Sequence, residues 1–190
     1  MGSITRTLAN NITTGGVILP SGINNTSISN VTSLPAGVGG KVLQVVQDFD
    51  KTDITVSSGT SATVLSVTIT PSSTSSKILL RFNGNASNSA GGSGGFFRLK
   101  RGSTEIAPAR TDAGYISGQF FHLNQDNNLG ETVCLEYLDS PSTTSATTYN
   151  LEASPQTGGT LYLNKLGSTT SAQAYSWVSS STLTAFEIGT

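Results

Sequence analysis

The amino-acid sequence predicts an all-β protein, an antiparallel β-sandwich with an extended amino-terminal arm. After residue 40, apolar and polar residues alternate with a period of two in most segments. Clusters of Gly, Ser, Asn, Asp and Pro separate these segments, as in sandwiches built from short strands. Before residue 41 the chain contains one charged residue, Arg6, and no aromatic residue. We therefore divide it into an arm, residues 1–40, and a head, residues 41–190.

The arm consists mainly of Asn, Ser, Thr and Gly, with isolated aliphatic side chains between them. A segment of this composition cannot bury a core of its own, so we expect it to pack on another protein surface. Six aliphatic residues are the predicted anchoring contacts: Ile4, Leu8, Ile12, Ile18, Ile23 and Ile28.

The head begins with a segment, Val42–Phe49, whose apolar residues fit a helical stripe as well as a strand. Because this segment is short and rich in Val, we predict a strand. The following strands are predicted from alternating apolar residues, which are Leu65, Val67 and Ile69; Ile78, Leu80 and Phe82; Phe97 and Leu99; Phe121 and Leu123; Val133, Leu135 and Tyr137; Tyr149, Leu151 and Ala153; Leu161 and Leu163; and Phe186 and Ile188.

Charge and composition exclude several functional classes. The chain has ten basic and eleven acidic residues, so it lacks the positive charge typical of a nucleic-acid binder. It has one His and one Cys, so no intramolecular disulfide and no cysteine-rich metal site can form, and a zinc site would have to be built across subunits. Cys134, between Val133 and Leu135, is expected to be a small buried residue. No signal peptide or membrane-spanning stretch is predicted, because no apolar run is long enough.

Motifs for catalysis or metal binding are weak. Gly91–Gly95 matches the G-x-S-x-G spelling of a nucleophile elbow, but a strand and not a helix is predicted after it. Asp48, Asp50 and Asp53 could supply oxygen ligands to calcium, although a solvated turn explains them equally well. We therefore predict no catalytic residues, no metal site and no cofactor.

Two residue clusters are candidates for binding a partner. The basic cluster, residues Arg98, Lys100, Arg101 and Arg110, is either the solvated face of a strand or a docking patch for an acidic partner surface or an anionic glycan. Tyr175 and Trp177 are either core residues next to the last strand or an exposed pair that stacks on a glycan or a neighbouring subunit.

Several segments resemble virion structural proteins of tailed bacteriophages, particularly marine and cyanobacterial phages (cyanophages). The similar segments are MGSITRTLANNITTGG at residues 1–16, LPAGVGGKVLQVVQ at 34–47, TPSSTSSKILL at 70–80, LKRGSTEI at 99–106, YLDSPSTTSATTY at 137–149 and STLTAFEI at 181–188. The resemblance implies a jelly-roll-like head, a homotrimer and an arm that anchors the protein in the virion. It implies no catalytic residues.

Three functions from different classes follow. The first is a non-enzymatic virion protein, a capsid decoration (cement) or short tail fibre protein, bound to other capsid or tail proteins. The alternative is a tail-fibre adhesin or lectin that recognises a host surface glycan. The third, a glycan hydrolase, needs two carboxylates across a cleft. Glu131, Glu136 and Asp139 are the densest acids of the strand region, but their alternation along one strand implies no cleft.

Overall fold

The computed structural model describes residues 42–89, 93–107, 120–124, 130–156, 158–166 and 178–189. These residues form strands and connecting turns and contain no helix that could span a membrane. The strands are β1 (Val42–Asp50), β2 (Ile54–Val56), β3 (Ala62–Ile69), β4 (Lys77–Asn88), β5 (Ser93–Arg101), β6 (Thr104–Glu105), β7 (Phe120–Asn124), β8 (Glu131–Asp139), β9 (Thr147–Pro155), β10 (Leu161–Leu163) and β11 (Ser181–Ile188). The predicted all-β class is confirmed, and Val42–Phe49 lies in a strand.

The strands form two antiparallel sheets. The first sheet has the order β1-β11-β4-β10-β2, and β8 pairs with the other edge of β4. The second sheet has the order β3-β9-β5-β6, and β7 also pairs with β5. The long strands therefore lie as β1-β11-β4-β8 in one sheet and β3-β9-β5-β7 in the other. The chain passes repeatedly from one sheet to the other, and four strands of each sheet in this order make the head a jelly-roll-like β-sandwich.

The core lies between the sheets and contains the apolar side chains that alternation predicted on β3, β4, β5, β9 and β10, together with Val133 and Leu135 of β8. Leu80 and Phe82 of the first sheet and Phe97 and Leu99 of the second are almost fully buried. The rings of Phe82 and Phe97 meet across the sandwich with centroids 5.6 Å apart and planes tilted by 30°. Tilted aromatic pairs of this kind add to the stabilisation that comes from burying their apolar area.

One expectation about side-chain direction needs correction. Cys134 is exposed and not buried. Because Val133 and Leu135 both point into the core, the residue between them must point to the opposite face of β8. In β11 the core-facing apolar residues are Leu183 and Ala185, so the shared face of Phe186 and Ile188 is the outer, half-buried one.

Candidate interaction surfaces

The outer faces of the two sheets differ in polarity. On the second sheet, polar side chains bond to one another across the strands: Ser66 Oγ donates to Asn150 Oδ1 over 2.8 Å, and the hydroxyls of Thr68 and Thr148 are 2.8 Å apart. On the first sheet, apolar side chains face outwards. Six large apolar side chains of the described residues are strongly exposed, and five of them lie on β1 or β8.

An apolar row crosses four neighbouring strands of the first sheet. The backbone register places its members side by side on β1, β11, β4 and β8; they are Val45, Phe186, Leu79 and Leu138. Val45 is 54% exposed and Leu138 is 47% exposed, while the two central residues are half-buried. Such a contiguous apolar patch on a protein surface is typical of an interaction site.

A polar row runs parallel to the apolar row, two residues along each strand. It consists of Gln47, Thr184, Arg81 and Glu136. Gln47 Nε2 donates to Thr184 Oγ1 over 2.8 Å, and Arg81 forms an exposed ion pair with Glu136. The Arg81 guanidinium also lies 5.9 Å from the centroid of the Phe186 ring, which joins the two rows.

The basic cluster does not form a single surface. Arg98 and Lys100 lie on the outer face of the second sheet, where both are paired with Glu152. Arg98 also lies over the Phe96 ring, 4.6 Å from its centroid. Arg101 instead pairs in register with the fully buried Tyr149 and turns towards the core side. Arg110 lies outside the described residues, and docking of a partner by this cluster stays a prediction.

A polar contact joins the two sheets at one end of the sandwich. Asp139, the last residue of β8, accepts a 2.7 Å hydrogen bond from the Tyr149 hydroxyl and a 2.8 Å bond from Arg101 Nη1. Burial, together with the hydrogen bond to Asp139, raises the pKa of Tyr149 above its ordinary value. Tyr149 therefore remains a neutral hydrogen-bond donor in the ordinary pH range, and the cluster acts as a structural tie.

A second carboxylate, Glu187 of β11, is almost fully buried. It accepts hydrogen bonds from the Ser72 backbone N–H at 2.7 Å, the Ser72 hydroxyl at 2.6 Å and Gln44 Nε2 at 2.7 Å. Burial alone would raise the pKa of this carboxyl, but the bonds from Ser72 and Gln44 favour the ionised form and contribute to lowering the pKa to about 2. Glu187 thus fixes the β3–β4 connection to β1 and β11.

The three acids that could have bound calcium, Asp48, Asp50 and Asp53, instead contact neighbouring protein groups. Asp48 accepts a bond from the Ser66 backbone, Asp50 from the Thr52 backbone and hydroxyl, and Asp53 lies 3.9 Å from Lys165 Nζ. Within the described ranges, no three metal-ligating side chains come together. The three acids considered for hydrolysis are also separated. Glu136 lies on the outer face, whereas Glu131 and Asp139 lie at opposite ends of β8.

The nucleophile-elbow spelling has a structural explanation. Ser93 begins a strand, so the helix that an elbow needs after its nucleophile is not there. Gly95 leaves room for the buried Leu161 side chain, because a Cβ at this position would come within 2.7 Å of Leu161 Cδ1. The described part of this segment therefore gives no support to a catalytic serine.

The remaining predicted site residues lie outside the described residues. They are the six arm residues, Ile4, Leu8, Ile12, Ile18, Ile23 and Ile28, and the aromatic pair, Tyr175 and Trp177. The apolar row was not predicted from the sequence. One signal was present, because β1 has apolar residues on both of its faces, which indicates that its outer side is apolar too; these residues are Val42, Leu43, Val45 and Val46.

No protein-family model and no curated protein matches this sequence. Solved structures with a similar chain trace include the infectious bursal disease virus VP2 subviral particle, at 14% identity and a TM-score of 0.39, covering 77% of this chain and 37% of that one. Another is the 2.6 Å structure of infectious bursal virus derived T=1 particles, at 14% identity and a TM-score of 0.40, covering 77% and 36%. This chain spans little more than a third of the length of those chains.

Proposed function

We propose that this protein is a non-enzymatic virion structural protein, a trimeric capsid decoration (cement) or short fibre protein attached to the particle through its arm. The observation that supports an assembly role best is the apolar row on the first sheet, because an exposed apolar strip of this kind suits contact with another protein. The two buried carboxylates of the head, Asp139 and Glu187, accept hydrogen bonds from groups within the fold.

The arm is the proposed anchor because it is rich in isolated aliphatic residues and has almost no charge. Such a segment can pair its backbone with the sheet edge of another protein and bury alternate side chains. Each fully buried Ile or Leu contributes roughly 1.5–3 kcal/mol. Half of the six predicted contacts would therefore contribute roughly 5–9 kcal/mol to attachment without a covalent bond.

Attachment through the arm should resist salt. At about 1 M salt the screening length falls to roughly 3 Å, which weakens ion pairs between exposed groups but leaves apolar contacts intact. We expect purified particles to keep the protein after such a wash, as measured by gel densitometry of pelleted particles. Release by salt would contradict an apolar anchor and make the Arg98 and Lys100 surface the first candidate for attachment.

The alternative proposal is a receptor-binding adhesin or lectin for host surface glycan. It depends on Tyr175 and Trp177, since exposed aromatic rings can stack on sugar rings. Binding of the intact protein to a glycan array, and loss of that binding in a Trp177→Ala variant, would favour this alternative over a purely structural role.

A further inference from the structure

The first sheet carries a surface that is complementary to itself. We propose that two copies of this chain pack face to face through the outer sides of β1, β11, β4 and β8, with the apolar row of one copy on that of the other. The inference does not depend on the virion role, because it concerns only residues of the head.

The apolar row suits self-association because the order of its residues from β1 to β8 is similar in size and polarity to the order from β8 to β1. Aliphatic residues, Val45 and Leu138, lie at its two ends, and the larger half-buried Phe186 and Leu79 lie between them. A two-fold axis parallel to the strands and through the middle of the row would place Val45 over the second copy's Leu138. It would place Phe186 over the second copy's Leu79, so that every position meets an apolar partner.

The charges beside the row favour this orientation. A two-fold axis running across the strands would bring Arg81 over Lys77 of the second copy, because these residues flank the row on β4. Like charges in such proximity oppose association. An axis along the strands instead places Arg81 over the Thr184 hydroxyl and Glu136 over the Gln47 amide. Thr184 and Gln47 are uncharged, so this orientation brings no like charges together.

The size of the surface is sufficient for a specific contact. Four strands spaced by about 4.8 Å cover roughly 19 Å, and eight residues along each strand cover roughly 26 Å. Each copy therefore contributes about 500 Å², or about 1,000 Å² for the pair, which reaches the lower bound for specific protein interfaces. Among the described side chains of the second sheet, the outer faces of β3, β5 and β9 instead carry polar groups that are hydrogen-bonded or ion-paired with one another.

The first test is the number of copies in the full-length protein, measured by sedimentation equilibrium. A two-fold contact gives an even number: two copies, or six if the proposed trimer also forms. We expect Leu138→Asp and Val45→Asp each to raise the dissociation constant of the pair about a hundredfold, because each buries an unpaired carboxylate. The matched control is Val178→Asp, since Val178 is 77% exposed and lies outside both rows.

The second test determines how the two copies are oriented. All its variants are made in a Cys134→Ser chain, because Cys134 is an exposed free thiol that would also react. A short bis-maleimide should link Val45→Cys chains to Leu138→Cys chains when the two variants are mixed, and should link neither variant to itself. Circular dichroism would show that all variants keep the strand-rich fold. The proposal would be overturned if the wild-type protein had one or three copies. It would also be overturned if Val178→Asp and Leu138→Asp changed the dissociation constant equally. Self-linking of Val45→Cys would overturn the orientation.

Discussion

Replacing Asp139 with Ala is expected to lower the free energy of unfolding by about 2–4 kcal/mol. The substitution leaves the buried Tyr149 hydroxyl without its acceptor and removes the ion pair with Arg101. Most of the cost should come from Tyr149, which is fully buried, because Arg101 retains access to water. Urea denaturation followed by circular dichroism measures the difference.

A double variant separates this contact from a general effect of a smaller side chain. In Asp139→Ala/Tyr149→Phe the unpaired hydroxyl is gone, so we expect it to be about 1–2 kcal/mol more stable than Asp139→Ala alone. Equal stability of the single and double variants would show that the hydroxyl does not depend on Asp139, and the proposed tie between the sheets would be wrong.

The second large effect concerns Glu187 and pH. Its pKa is about 2 in the folded protein, against an ordinary value of 4.5, so the unfolded chain takes up the proton first as pH falls. The stabilisation is therefore present above the ordinary pKa of 4.5 and is lost progressively as pH falls towards 2. The difference in pKa corresponds to about 3 kcal/mol. We expect this loss in the wild-type protein between pH 5 and pH 2.

Glu187→Gln should lack this pH-dependent component. Its unfolding free energy at pH 7 should be lower than that of the wild type by an amount of the same order, and the two proteins should converge near pH 2. The control is Glu136→Gln, which affects an exposed ion pair and should change stability by less than about 1 kcal/mol. A constant difference between the wild type and Glu187→Gln from pH 5 to pH 2 would contradict the assignment.

The alternation of apolar and polar residues predicted most of the fold because burial between two sheets imposes a period of two on each strand. Leu65, Val67 and Ile69 of β3, for example, are all buried as expected. The same rule, applied to Cys134, would have placed it outside. The apolar character of Val133 and Leu135 fixes their own direction and implies the opposite direction for Cys134, so the expectation that Cys134 is buried was wrong.

The surface could not be predicted in the same way. The apolar row joins residues 45, 79, 138 and 186, and only the pairing of strands distant in sequence brings them together. The buried Glu187 was also missed, because a strand carrying Phe186 and Ile188 suggests that the residue between them faces water. Its burial depends on donors from Ser72 and Gln44, which local periodicity does not indicate.

The most direct test of the proposed function is the incorporation of a chain that lacks residues 2–36 into the particles that the intact protein joins. Copies per purified particle would be measured by quantitative mass spectrometry, with the intact chain produced in the same way as the control and circular dichroism of the free variant as the check of folding. The account predicts a folded, strand-rich head that is absent from the particles. Incorporation of this head at the copy number of the intact protein would contradict the arm as the anchor.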